Sequence, residues 1–433
     1  MQRRHLLQLA ALAAAPSSLL AGRYALAQSA EAIRFGCPVP MSGAFAANGK
    51  YADLGMKLAI EQYGNVLKRP LAYTVLDTEG KPATAVRKVQ EASQQQGAKF
   101  FAGGILSSEA LAMGKEAEKA GGLFITTAGA DEITGKDCNP ATFRWSVPTF
   151  GAIEQTVRPL ITTMPKAKRW YTITPQYVFG EGLLSAAKNI FQEKGIELVG
   201  NSYHSLNEKE FSGYLTNAMA AKPDVLLLLN FGAQSSAALR QAVSFGMHKN
   251  MTILMAWASG LEQFDELGAD LCEDVYFGAQ YWHTADTTLN KDLVKRTADK
   301  LKIVPNYSLA GSYICTKILI DGIVKAGTVD QKAVIAALSN AEYHTSEMIL
   351  VITVIGGTGN LFASVLGAAF YVLLADWLST LWPRWLLLLG LLLIGVSIGM
   401  QRGLWGLGEA AWRRMFRKAS PTVLAPYAQG EKA

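Results

Sequence analysis

The chain has 433 residues, half of them hydrophobic and 18% charged, with a formal net charge of +6. That length suggests roughly two to three domains, and the composition excludes long disordered stretches and collagen-like repeats. The charge lies at the ends: residues 1–27 hold three arginines and no acid, residues 347–433 hold seven bases against four acids, and the stretch between is neutral. Such a body lacks the basic stripe that nucleic acid would require.

Residues 1–27 read as an export signal. A basic start with Arg3 and Arg4 precedes a mainly apolar run over 6–20, and Ala25-Leu26-Ala27 supplies a small-x-small cleavage site. Export places Cys37, Cys138, Cys272 and Cys315 in an oxidising compartment. Four cysteines allow three full pairings, with buried free thiols as the alternative. No CxxC pair or Cys/His cluster occurs, so neither a zinc site nor any other metal or cofactor is expected.

From residue 31 to 340 two patterns alternate. Short aliphatic or β-branched runs occupy 33–39, 71–76, 100–101, 123–126, 170–174, 196–202, 225–229 and 252–254. Between them, apolar residues recur at helical spacing over 52–63, 83–95, 108–119, 182–192, 211–221 and 235–245. This alternation predicts an α/β fold of parallel sheets covered by helices on both faces. About 300 residues of it exceed one core, so two lobes are expected, with a first crossover at Pro148-Thr149-Phe150-Gly151. Ligands of such sheets sit beyond the carboxyl ends of the strands, which singles out the loops at 40–48, 77–81, 103–109, 127–131, 175–181, 229–234 and 256–261.

No catalytic set emerges. None of the five histidines joins a Ser or Cys in a recognisable motif, 177–182 lacks a nucleophile elbow, and Gly356-Gly357-Thr358-Gly359 is not followed by the Lys-Ser/Thr of a phosphate loop. The chain is therefore not expected to be an enzyme.

The ordered set Pro40-Met41-Ser42-Gly43, Asp77, Gly104 with Ser107-Ser108, 126–130, Phe179-Gly180-Glu181-Gly182-Leu183 and Leu239-Arg240-Gln241-Ala242 resembles the periplasmic binding proteins of the leucine/isoleucine/valine type, which feed ABC importers. The likeness spans 31–342. It implies a two-lobed type I fold, with lobe 1 formed by 28–148 and 280–342 and lobe 2 by 149–279. It also implies hinge closure over a small amino acid, amide or carboxylic acid, an ABC permease and ATPase as partners, and a periplasmic location.

By family position Ser107, helped by Ser108, binds the ligand carboxylate at a helix N-terminus. Ala128 and Gly129 present backbone groups. Asn48, Phe179, Phe231 and Trp257 surround the ligand. Ala130 stands where amino-acid binders carry a hydroxyl, and Ala258 falls near the place of the acid that pairs with the ligand ammonium. No Asp or Glu occurs between 251 and 260, and a buried ammonium without an anion would be costly. The pattern thus departs from that of an ordinary α-amino-acid site. Asp131 and Glu262 are the nearby acids, and both also read as helix caps or flanks.

Residues 346–407 follow another pattern. Two nearly uncharged runs, 348–375 and 385–400, are edged by Trp377, Trp382, Trp385 and Trp405, as membrane spans are. Glu347-Met348-Ile349-Leu350, Val354–359 and Arg402-Gly403-Leu404-Trp405-Gly406 resemble the end of the permease of the same importer class. The expectation is a truncated binding protein fused to a permease-like segment that tethers it to the inner membrane, followed by a basic tail over 408–433. A membrane-anchored sensor and a non-functional gene fusion are the alternative readings.

Overall fold

A computed structural model describes residues 31–339 of the chain. The export signal, the permease-like segment and the basic tail lie outside the described residues. Among the described residues, no helix is long and apolar enough to cross a membrane.

The first half contains β1 (Ile33–Val39), α1 (Ala46–Tyr63), β2 (Asn65–Val66), β3 (Arg69–Asp77), α2 (Pro82–Gln96), β4 (Phe100–Gly103), α3 (Ser107–Lys119), β5 (Leu123–Thr126) and β6 (Thr142–Arg144). The six strands form one sheet in the order β2-β3-β1-β4-β5-β6. All pairs are parallel except the edge pair β2–β3.

The chain then crosses to a second sheet through α4 (Thr149–Thr163), β7 (Arg169–Pro175), α5 (Val178–Lys194), β8 (Glu197–His204), α6 (Ser212–Ala221), β9 (Val225–Leu228), α7 (Ala233–Ser244), β10 (Thr252–Ala258), α8 (Leu261–Leu267), α9 (Ala269–Cys272) and β11 (Val275–Ala279). These strands run in the order β11-β10-β9-β7-β8, all parallel. The chain returns through α10 (Thr288–Leu301), α11 (Tyr307–Ala326) and α12 (Gln331–Ser339). Leu309 and Tyr313 of α11 pack with Leu58 and Ala59 of α1, against the first sheet.

The expected α/β architecture of two parallel sheets is therefore what the residues build. Strand β9 shows why: all four of its residues are buried, as a strand covered on both faces must be. Helix ends follow local chemistry. Pro82 opens α2 and Gly97 closes it in the left-handed region. The Asn306 side chain caps α11 by accepting the Leu309 N–H at 2.9 Å.

Three strands carry no readable pattern. β2 and β6 have only two and three residues, and the edge strand β11 mixes buried, half-buried and exposed positions. β10 runs four residues beyond the apolar run, through a register shift between Met255 and Ala258. All four cysteines are free, with Cys37 and Cys315 buried. Burial raises both of these thiols far above the ordinary range, so they behave as small core hydrophobes.

Candidate functional site

The loops beyond the carboxyl ends of the two sheets meet at one place. From the first lobe comes the 126–130 loop, which a dense polar network holds. The Ser107 hydroxyl, at the first residue of α3, accepts the Ala130 N–H at 3.1 Å. The Thr126 hydroxyl accepts the Ala128 N–H at 3.1 Å, and the Thr127 hydroxyl donates to the Gly104 carbonyl at 2.9 Å. Arg144, at the end of β6, donates to the carbonyls of Gly129 (3.1 Å) and Ala130 (2.9 Å) and to the Thr134 hydroxyl (2.6 Å). From the start of α4, the Thr149 N–H reaches the Gly129 carbonyl at 2.8 Å. The Gly129 and Ala130 carbonyls are thus tied down, and the Ser107 hydroxyl, an acceptor here, keeps its own proton to donate.

The second lobe contributes rings. Phe179 and Trp257 meet edge to face at 4.9 Å between centroids, and Tyr177 lies 5.9 Å from Phe179. Both Phe179 and Trp257 bear on Gly129. A Cβ there would come within 2.7 Å of Trp257 Cη2 and 3.1 Å of Phe179 Cε2. Gly129 is therefore the point of closest approach between the polar loop and the aromatic wall, and only a glycine fits that approach.

Tyr307, at the first position of α11, joins the two sides. Its ring crosses Trp257 at 90° and Phe231 at 81°. Its hydroxyl donates to the Thr127 carbonyl and lies 2.8 Å from Ser146 Oγ. Its N–H donates to the Ser259 carbonyl at 2.9 Å. Phe231 also stacks on Phe45, with centroids 6.4 Å apart.

Asn48 is buried in the first turn of α1. It donates to Ser308 Oγ at 3.2 Å, and a Cβ on Gly232 would come within 2.9 Å of its Oδ1. It thus props the start of α11 beneath the 229–234 loop.

Of the ten candidate residues, Ser107, Gly129, Ala130, Phe179 and Trp257 converge directly at this contact. Ala128 is buried in the same loop, with its side chain in the core between α2, α3 and β5. Phe231 and Asn48 line the adjoining seam. Ser108 is half-buried. Ala258 packs into the second lobe's own core with Met255 and Leu267. Of the nearby acids, Asp131 accepts the Phe150 N–H at 3.4 Å. Glu262 accepts from Asn306 Nδ2 at 2.8 Å, and burial raises its pKa.

Arg144, Tyr307 and Phe45 were not legible as site residues. Arg144 and Tyr307 act through partners 15 and 180 positions away, and no local motif marks such contacts. Asn230, directly before Phe231, is fully buried, and neither of its amide atoms has a protein partner.

The profile of the periplasmic binding protein family matches residues 32–362. That match runs past residue 342, where the resemblance read from the sequence ends. The Leu/Ile/Val-binding protein homolog 3 of Brucella melitensis is 24% identical over 314 residues, 70% of this chain and 82% of that protein. An amino acid ABC transporter substrate-binding protein from Pseudomonas fluorescens Pf-5 is 61% identical, with a TM-score of 0.68, over 71% of this chain and 83% of that one. A solute binding protein of an ABC transporter from R. palustris, solved in complex with benzoate, shares the fold at 24% identity and a TM-score of 0.66. It covers 72% of this chain and 86% of that one.

Proposed function

The chain belongs to the periplasmic binding protein family, and from that premise we propose that it captures a small carboxylate with a flat apolar body for an ABC importer. It is a substrate-binding protein of the Leu/Ile/Val-binding type. The finer reading, the ligand class, rests on one observation: a clamped polar loop with a free hydroxyl proton faces a wall of perpendicular aromatic rings at Gly129.

A carboxylate suits the polar side. Ser107 lies in the first turn of α3, where unpaired backbone N–H groups and the positive helix end favour an anion. An aromatic or branched body suits the other side, because ring–ring contacts add about 0.5–1.5 kcal/mol each beyond burial. Trp257 occupies the end of β10 where no acid stands, and Glu262 is engaged by Asn306. An α-ammonium group would then be desolvated without an anion. The benzoate bound by the R. palustris protein fits this chemistry better than leucine does.

Ser107→Ala removes the donor at the carboxylate. It is expected to weaken binding by about 1–3 kcal/mol, the cost of leaving a buried polar group unpaired. Isothermal titration with benzoate and with L-leucine measures it. Unchanged affinity for whichever ligand binds would remove Ser107 from the site.

A further inference from the structure

The same helix end carries a group that ligand recognition leaves unexplained. Glu109 follows Ser107 and Ser108 in the first turn of α3. It is fully buried, and neither carboxyl oxygen has a hydrogen-bond partner of acceptable geometry. The buried Thr78 hydroxyl, just past β3, lies near enough to favour a charge on Glu109 but makes no hydrogen bond of good geometry. The second lobe covers this spot: Val178 packs into the core between α2, α3 and β5, and the field of Glu109 reaches the Tyr177 hydroxyl. Glu109 thus lies beneath the contact between the lobes, in the turn that receives the ligand carboxylate.

The surrounding charges do not neutralise it. Asp77, at the end of β3, holds its charge by accepting the N–H groups of Met41 and Glu79, each at 2.9 Å, and it repels a charge on Glu109. Lys88 of α2 bears on Asp77. Beyond β5, Glu132 pairs with Lys136 and Asp131 caps Phe150. Just before α5, Tyr177 is held protonated by burial. Desolvation therefore dominates at Glu109. The Thr78 hydroxyl and the Leu106 N–H pull the other way, and the carboxyl is pushed up to about 7.

An ionised Glu109 would take the positive end of α3 for itself and would repel a second anion bound there. We propose that Glu109 is a specificity-determining residue, held as a neutral acid whenever the cleft carries an anion, so that a carboxylate ligand is captured together with one proton from solvent. This rests on the proposed carboxylate reading. Its consequence is that the cleft prefers anions in mildly acidic medium and releases them as the medium turns alkaline.

Two measurements on the full chain test it. In thermal melts without ligand, a carboxyl raised in the folded state binds more protons folded than unfolded, so stability falls as pH rises from the ordinary carboxylate range through about 7. Glu109→Gln should melt level with wild type near about pH 5 and a few degrees above it near about pH 8. Glu109→Met, of similar volume, should do the same if the Gln variant folds poorly. In titrations with benzoate, wild-type affinity should fall about tenfold per pH unit above the Glu109 titration, with about one proton taken up in buffers of differing ionisation enthalpy. In Glu109→Gln both effects should vanish.

Parallel melting profiles in all three proteins, or benzoate binding with no proton uptake, would overturn the proposal. If the melting difference stands but no carboxylate binds, the carboxylate reading fails, and the coupling fails with it, while the buried neutral acid survives.

Discussion

The two rims of the cleft are built from opposite materials. The first lobe presents backbone and hydroxyls, with the 126–130 loop fastened by Ser107, Thr126, Thr127 and Arg144. The second presents rings: Phe179 meets Trp257 edge to face, and Trp257 and Phe231 each meet Tyr307 edge to face. The polar rim is preorganised: the Gly129 and Ala130 carbonyls are engaged by Arg144, so on the proposed reading an incoming anion would meet donors already aimed. The aromatic rim is fixed by packing instead, with Phe179 and Trp257 buried edge to face. On the proposed reading, orientation should therefore come from the first lobe, and selection of the ligand body from the second.

The sharpest way to break this division is at the single point where the rims touch. Gly129→Val drives a side chain into Trp257 and Phe179. It should cost about 3 kcal/mol of closure, roughly a 100-fold loss of affinity, because overpacking at a tight contact has no easy relief. Small-angle scattering should then show that ligand no longer compacts the variant.

Next in size is Arg144. Its charge-assisted bonds to two loop carbonyls are worth about 1.5–3 kcal/mol when made, so Arg144→Gln should weaken binding about tenfold. Arg144→Lys should recover only part of this, since an ammonium cannot fork across both carbonyls and Thr134. Full recovery in the Lys variant would show that charge alone matters.

The smallest effect belongs to Tyr307→Phe, which keeps the ring and deletes the hydroxyl between Thr127 and Ser146. About 1 kcal/mol should be lost, equally for every ligand, because the wall itself is intact. A loss confined to one ligand class would move Tyr307 from the frame into direct recognition.

The fold was largely readable because parallel α/β architecture writes itself in local alternation, and the buried run at Val225–Leu228 is an instance. What escaped was short or marginal. β6 is set by pairing with β5 and not by its own three residues, and β11 is an edge strand with mixed exposure. At the site, Ser107 and Gly129 could be placed because they sit on loops that a family pattern marks. Arg144 and Tyr307 could not: Arg144 reaches back 15 positions from the end of β6, and Tyr307 meets Thr127 and Ser146 only once the chain has returned from the second lobe. Glu109 reads in sequence as an ordinary acid near a helix start, a common and favourable place. Its meaning comes from Tyr177 and Val178 closing over it.

The most direct test of the central claim is a titration of wild type and Ser107→Ala with benzoate and L-leucine, followed calorimetrically. Benzoate should bind wild type more tightly than leucine, and the alanine variant should lose about tenfold or more of that affinity. Tight leucine binding that Ser107→Ala leaves unchanged would contradict that claim.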